Sequence, residues 1–128
     1  MDFPDQLRYS KDHEWIRVEE DGKTAVVGIS AFAQGELGDI VFVELEDVDS
    51  AIGKDEPFGT VEAVKTVSEL FMPVAGTIIA HNDALEDNPE LINNSPYEDG
   101  WMVKISLDDP AQVNELMAAA DYATMVGQ

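Results

Sequence analysis

Short β-type segments separated by turn signals make up most of the chain. Seven segments are rich in β-branched or aromatic residues, which favours strands over helices. They cover residues 14–18, 24–29, 39–45, 58–64, 67–72, 77–80 and 101–105. The dipeptide Asp21-Gly22 lies between the first two segments and is a strong hairpin signal. The pattern also predicts that segment 39–45 is a buried strand and that the polar stretch 47–55 is a loop.

Two short helices are predicted within this β-rich part. Ser30 can cap the N-terminus of one or two helical turns that end at Gly35. Asn88 can cap a second helix, over residues 88–93, that has Pro89 in its first position.

The C-terminus predicts an amphipathic helix over about residues 109–126. Asp109 can act as its N-cap, Pro110 fits the first helical position and Gln112 supplies a polar partner at the third. The apolar residues that follow recur at helical spacing: Val113, Leu116, Met117 and Ala120. The chain is therefore expected to be mainly β, with two small antiparallel sheets folded over each other, short helices and a C-terminal α-helix.

Length and composition fit one domain that spans residues 1–128. With 128 residues and 45% hydrophobic content, the chain can bury a substantial core. No apolar run approaches the roughly 20 residues of a membrane-spanning helix, and no basic region followed by an apolar stretch opens the chain. We expect no membrane association and a cytoplasmic location, or the mitochondrial matrix for a processed form.

The net charge of −20 changes the range of partners. Nucleic acid is an unfavourable partner, because binding phosphates requires clustered Lys and Arg. Two explanations of the acidity stay open. It can steer association with basic protein surfaces, or it can serve solubility alone.

Residue types and spacing argue against a self-contained enzyme. The chain has no cysteine, and its two histidines, His13 and His81, lie in no metal-binding pattern. Phosphate-binding loops, nucleophile elbows and calcium-binding loops are absent from the sequence. Any redox sulfur chemistry therefore has to come from an attached group.

Lys65 is the candidate functional residue. It lies between the β-type segments 58–64 and 67–72, at the expected tip of a hairpin, and is one of only five lysines. One interpretation is a solvated turn lysine. The other is an attachment site for a swinging cofactor arm, which needs a lysine on a rigid, exposed tip while the cofactor supplies the chemistry.

Several separated blocks, in the right order and over nearly the whole chain, resemble the H proteins of the glycine cleavage system. The match is specific because it does not depend on one short motif. The blocks are Tyr9-Ser-Lys-Asp-His-Glu-Trp15, Val27-Gly-Ile-Ser, Ala33-Gln, Leu37-Gly-Asp-Ile-Val-Phe-Val-Glu-Leu45, Glu62-Ala-Val-Lys65 through Pro73-Val-Ala-Gly76, Asn88-Pro-Glu-Leu-Ile-Asn-Asn, Pro96-Tyr97 and Gly100-Trp101.

This resemblance implies a lipoyl-type barrel-sandwich and a non-catalytic carrier with lipoate amide-linked to Lys65. Its implied role is to carry the aminomethyl group from glycine decarboxylase (P protein) to aminomethyltransferase (T protein). Dihydrolipoyl dehydrogenase (L protein) then reoxidises the arm, and a lipoyl-attaching enzyme loads it. The implied oligomeric state is a monomer. The family also implies a clasp for the aminomethyl arm, and the matching residues are Glu14 and Glu69.

The residues around Lys65 separate this family from its relatives. Biotin carriers place Met on both sides of the lysine and lipoyl domains of 2-oxoacid dehydrogenases place Asp before it, whereas Val64 and Thr66 flank it here. Ala63 stands where the family commonly has Ser, which bears on how the lipoylating enzyme recognises the site. Two alternatives remain: a fragment of a larger ligase or dehydrogenase, and a lipoyl relay or lipoyl-fold binding protein serving other 2-oxoacid dehydrogenase complexes.

Overall fold

The computed structural model describes residues 3–127, and within them nine β-strands form two antiparallel sheets. One sheet has six strands in the order β1-β2-β3-β9-β8-β5, and the other has three in the order β4-β6-β7. The strands are β1 Arg8–Tyr9, β2 Glu14–Val18, β3 Thr24–Ile29, β4 Ile40–Leu45, β5 Ala51–Ile52, β6 Pro57–Ala63, β7 Val67–Phe71, β8 Gly76–His81 and β9 Val103–Leu107.

The helices are short. A 3₁₀ helix covers Pro110–Glu115. The α-helices are α1 Ala31–Leu37, α2 Ala84–Asp87, α3 Leu91–Asn94 and α4 Ala119–Met125. No helix of residues 3–127 is long and apolar enough to cross a membrane.

The β2–β3 hairpin forms where the sequence predicts it. The Asp21 carboxylate accepts hydrogen bonds from the backbone N–H groups of Lys23 and Thr24 at 2.8 and 2.9 Å. Gly22 has a φ of +70°, which a residue without Cβ adopts at no steric cost. This turn sets the register in which Trp15 lies opposite Gly28.

Strand alternation divides the apolar side chains between two clusters. Ile16 and Val27 point into the main core between the two sheets, where they meet residues such as Val61 of β6. Their neighbours Trp15 and Val26 point to the opposite face of the six-stranded sheet, because successive side chains of a strand alternate. The chain termini cover that second face with an aromatic cluster whose members include Phe3, Tyr9, Trp15 and Tyr122.

The predicted C-terminal helix over 109–126 is wrong in its bounds. The 3₁₀ helix ends at Glu115, and Leu116 is extended. Met117 then pairs with Tyr9, exchanging two backbone hydrogen bonds of 2.9 Å, before α4 begins at Ala119. Pairing with the edge strand β1 satisfies backbone groups that a continuous helix would leave unpaired on that strand. The C-terminal α-helix itself is present, over seven residues.

The bounds of the other two helices also differ from the prediction. Ser30 is the N-cap of α1, as predicted, but the helix continues through Gly35 and is closed by Gly38 at φ +82°. Asn88 is the C-cap of α2, a helix that the sequence pattern did not indicate. Helix α3 begins only at Leu91. Before it, the carbonyls of Asn88 and Pro89 accept hydrogen bonds from the N–H groups three residues later and close a turn.

Segment 39–45 is a strand, but the prediction that it is buried is wrong. Val41 and Phe42 are 47% and 53% exposed, because the outer face of the three-stranded sheet is open. The stretch 47–55, predicted as a loop, contains the short strand β5. The predicted arrangement of two antiparallel sheets, short helices and a C-terminal α-helix is otherwise present.

Gly28 and Gly35 make a matched pair for testing the packing. A Cβ added at Gly28 would lie 2.7 Å from the buried Trp15 ring, whereas one added at Gly35 has no atom within 4 Å. We predict that Gly28→Ala lowers the free energy of unfolding by about 1–3 kcal/mol, as overpacking does. Gly35→Ala should raise it by about 0.5–1 kcal/mol, because Gly35 lies inside a helix. Urea unfolding of both variants measures this, and equal effects would contradict the packing described.

Candidate functional site

Lys65 lies at the tip of the β6–β7 hairpin, as the sequence predicts. The turn is closed by a hydrogen bond of 2.7 Å from the Ala63 N–H to the Thr66 carbonyl. A second bond, of 3.1 Å, joins the Val64 N–H to the carbonyl of Asp39. Lys65 is exposed, and the two salt bridges found within residues 3–127 do not involve it. Its amine is therefore open to another protein.

The strands of the hairpin are anchored in the core although its tip is exposed. Val61 and Leu70 anchor the two strands in the main core, where both are almost completely buried. Next to the lysine, in contrast, Val64 is 74% exposed and Val67 is 61% exposed. The apolar side chains of the tip therefore face solvent.

A cavity of about 160 Å³ lies beside this hairpin. Its walls are the segment 12–14, the helix α1 and the edge strand β7. Phe32 and Leu37 of α1 give it an apolar side, and Glu14 and Glu69 both line it. The structure therefore brings the two predicted clasp residues to one cavity.

Glu14 is a buried carboxyl group with hydrogen-bond partners on two elements. Glu14 is only 2% exposed. The Ser10 hydroxyl donates to Oε1 at 2.7 Å, and the Phe71 N–H of β7 lies 3.4 Å from Oε2. Burial raises the pKa of Glu14 to about 8, although these two hydrogen bonds act in the opposite direction. Without a cation beside it, Glu14 is therefore mostly protonated at neutral pH.

Glu69 has a different environment. It is exposed, lines the cavity, and also lines a groove together with Glu44 and Glu46. Lys65 lies four residues before it, in the turn that precedes β7. Lys65 itself does not line the cavity. An arm attached to the lysine would have to fold back along β7 to enter.

Ser10 and Tyr122 belong to the site, but sequence reasoning missed both. Ser10 holds Glu14 twice, because its hydroxyl also accepts the Glu14 N–H at 3.1 Å. Tyr122 reaches the wall of the cavity through His13, which is 109 positions away in the chain. Ser10 lies four residues before Glu14 and could have been suspected as a local partner. No sequence signal connects Tyr122 to His13.

A small β-sandwich that presents an exposed lysine hairpin is the architecture of a carrier domain of the lipoyl type. The family model described as Glycine cleavage H-protein matches residues 7–128 of this chain. The chain belongs to the glycine cleavage H-protein family.

Similar proteins cover the full length. The glycine cleavage system H protein of Prosthecochloris aestuarii is 59% identical over 128 residues, which is all of both chains. That of Staphylococcus saprophyticus is 55% identical, again over all of both chains. The crystal structure of the H protein from Mycobacterium marinum superposes with a TM-score of 0.90 at 36% identity, covering 98% of this chain and 100% of that one. The predicted fold class, a lipoyl-type barrel-sandwich, is confirmed.

Glu14 should make the stability of the unlipoylated protein depend on pH. Its pKa is about 8 in the folded state against an ordinary value of 4.5, so between these values the folded state holds a proton that the unfolded state has lost. The free energy of unfolding should therefore fall as pH rises through this window, by at most about 1.4 kcal/mol per pH unit from this group.

The measurement is urea unfolding at pH 6, 7 and 8. Glu14→Gln stays neutral and should show a flatter decline than the unsubstituted protein. Glu69→Gln is the matched control, because Glu69 is exposed and its replacement should leave the slope unchanged. Identical slopes in all three proteins would contradict a protonated Glu14.

Proposed function

We propose that this protein is the lipoyl-bearing shuttle of the glycine cleavage system and that Lys65 carries the lipoyl group. It takes the aminomethyl group from glycine decarboxylase and delivers it to aminomethyltransferase, and dihydrolipoyl dehydrogenase reoxidises the arm. One observation carries the proposal. In a chain of the H-protein family, an exposed lysine is at the tip of a hairpin whose second strand lines a cavity that contains a buried carboxyl group.

The residues present fit a lipoyl group. Lys65 has a free approach for amide formation, and the exposed Val64 and Val67 offer apolar contacts beside it. The cavity combines the apolar side chains Phe32 and Leu37 with the carboxyl group of Glu14. This suits an apolar arm that ends in a cationic amine. When attached, the group supplies thiol–disulfide chemistry, which this cysteine-free chain lacks.

Glu14 and Glu69 hold the amine of the cargo in this proposal. A cation placed next to Glu14 favours the ionised form, so the carboxyl group gives up its proton as the amine arrives. The resulting charge-assisted hydrogen bond is worth roughly 1.5–3 kcal/mol. Glu69, which also lines the cavity, adds a second negative charge, and the apolar wall limits the access of water.

The chain acts as a carrier and leaves catalysis to its partners. The chain is one carrier domain, monomeric and cytoplasmic, that is loaded by a lipoyl-attaching enzyme. Full-length similarity to H proteins from several bacteria supports this role over that of a lipoyl relay or binding protein for 2-oxoacid dehydrogenase complexes. Its negative charge favours partner surfaces that are basic.

Lys65→Arg should abolish lipoylation while leaving the fold intact. Arginine keeps the positive charge, but it cannot form the amide, and an exposed tip residue contributes little to stability. Lys54→Arg is the matched control, since Lys54 is also exposed and should leave modification unchanged. Intact mass and peptide mapping, after expression with a lipoate ligase, measure the outcome. Attachment at any other lysine, or none in the unsubstituted chain, would overturn the proposal.

Replacing either clasp residue by its amide should shorten the life of the aminomethyl-loaded protein. The aminomethyl group breaks down to formaldehyde and ammonia. A loss of about 1.4 kcal/mol of differential stabilisation makes this breakdown about 10-fold faster. We expect this for Glu14→Gln and Glu69→Gln, and less than the summed effect for the double variant, since both contact one amine. Glu62→Gln, on the same hairpin but outside the cavity, is the control. Half-lives equal to that of the control would mean that neither Glu14 nor Glu69 holds the amine.

A further inference from the structure

The hydroxyl group of Tyr122 joins two parts of the chain that are distant in sequence. Tyr122 lies in α4 and is completely buried. Its hydroxyl is 2.8 Å from Nδ1 of His13 and 2.7 Å from Oγ of Ser30. A phenylalanine would fill the same space, so the two hydrogen bonds are what the hydroxyl adds.

These two partners belong to two segments that each contribute a wall of the cavity. His13 lines it directly, next to Glu14. Ser30 is the N-cap of α1, the helix that contributes Phe32 and Leu37 to the other wall. The backbone joins the walls as well, because the Ser30 N–H donates to the His13 carbonyl at 2.9 Å. The hydroxyl of Tyr122 is therefore a second fastening between the same two segments.

His13 is a residue whose position needs such support. Its φ of +73° is in the left-handed region, which is uncommon for residues other than glycine. The turn that imposes this angle is closed by the His13 N–H donating to the Ser10 carbonyl at 3.1 Å and by the Ser10 N–H donating to the Glu14 carbonyl at 2.8 Å. The position of His13 is thus coupled to that of Glu14.

The hydrogen bonds among Ser30, Tyr122 and His13 allow two directions for their protons. Oγ of Ser30 already accepts the Ala33 N–H at 3.1 Å, so its own proton is available for the oxygen of Tyr122. With that proton placed on the oxygen of Tyr122, the proton of Tyr122 points to Nδ1 of His13, which is then the acceptor. This leaves the imidazole neutral, with its proton on Nε2. A charged ring would need Nδ1 as a donor and would reverse the chain of hydrogen bonds.

We propose that Tyr122 is a positioning residue of the arm cavity, whose hydroxyl fastens the segment 12–14 to α1 and keeps His13 in the neutral Nε2–H tautomer. The idea rests on the proposed function, in that the cavity takes a cationic amine. A neutral His13 leaves the negative groups of the cavity unopposed when that amine enters. In this way the C-terminal helix takes part in holding the cargo.

The electrostatic surroundings agree with a neutral ring. Burial lowers the pKa of His13 below its ordinary 6.5, although Asp12 and Glu36 act to raise it. The titratable groups that face the ring from the elements around it are few. They are Asp12 and Glu14 on its own segment, Glu36 on α1, Glu69 on β7 and Tyr122 on α4.

The competing explanation is that Tyr122 only fills the aromatic cluster. Its ring is stacked on Tyr9 with centroids 4.7 Å apart and meets the ring of Phe3 edge-on at 5.0 Å. Tyr9→Phe is therefore the matched control for Tyr122→Phe. It removes a hydroxyl from the partner ring of the same stack, but that hydroxyl donates to the Pro4 carbonyl, away from the cavity.

The first measurement is ¹⁵N NMR of the imidazole rings in the unlipoylated full-length chain. With only two histidines, His81→Gln assigns the spectrum. We expect His13 as the Nε2–H tautomer at pH 7, unchanged in Tyr9→Phe. In Tyr122→Phe the tautomers should mix and the pKa of His13 should rise, because the neutral form loses its hydrogen-bond donor. A charged or Nδ1–H ring in the unsubstituted protein would overturn the proposal, even if Tyr122→Phe failed to fold.

The second measurement is the half-life of the aminomethyl-loaded protein without its transferase. Tyr122→Phe should shorten it several-fold and Tyr9→Phe should not, while lipoylation and reoxidation stay unchanged in both. Equal effects of the two variants on half-life and on the His13 spectrum would mean that Tyr122 acts through packing alone. Failure of the unsubstituted chain to become lipoylated would instead count against the proposed function, and the NMR result would still decide the role of Tyr122.

Discussion

The burial of the Glu14 carboxyl group is the constraint on which the site depends. An ionised carboxylate removed from water is costly unless it is fully partnered, and here a neutral form with hydrogen bonds from Ser10 and Phe71 avoids that cost. Phe71 belongs to the three-stranded sheet and Glu14 to the six-stranded one. The same carboxyl group is thus a polar link between the two sheets at the point where the cavity opens.

The rest of the architecture holds this arrangement in place. The main core fixes β6 and β7 so firmly that their connecting turn can extend into solvent with Lys65 at its tip. On the other face of the six-stranded sheet, the aromatic cluster anchors α4 and brings Tyr122 to the cavity wall. Core packing therefore supplies the rigidity, and a few hydrogen bonds supply the geometry of the site.

What the sequence could predict was local. Asp21-Gly22 specifies its hairpin within four residues, and the two β-type segments around Lys65 place the lysine at a turn without knowledge of the rest. The apolar spacing after Asp109 predicted too long a helix. Met117 instead pairs with Tyr9, more than 100 residues away, and this pairing outweighs local helix propensity. The same limit applies to Phe42, whose exposure depends on which face of the sheet stays uncovered, and to the contact between Tyr122 and His13.

The protonated state of Glu14 has a consequence for how the carrier meets its partners. A proton leaves the chain when a cationic cargo enters the cavity as proposed, so the exchange is electroneutral. The long-range field of an acidic protein governs its diffusional encounters, and this field would be the same for the empty and the loaded carrier. Partners would then have to distinguish the two states at short range, through the arm and the hairpin tip, and not through attraction at a distance.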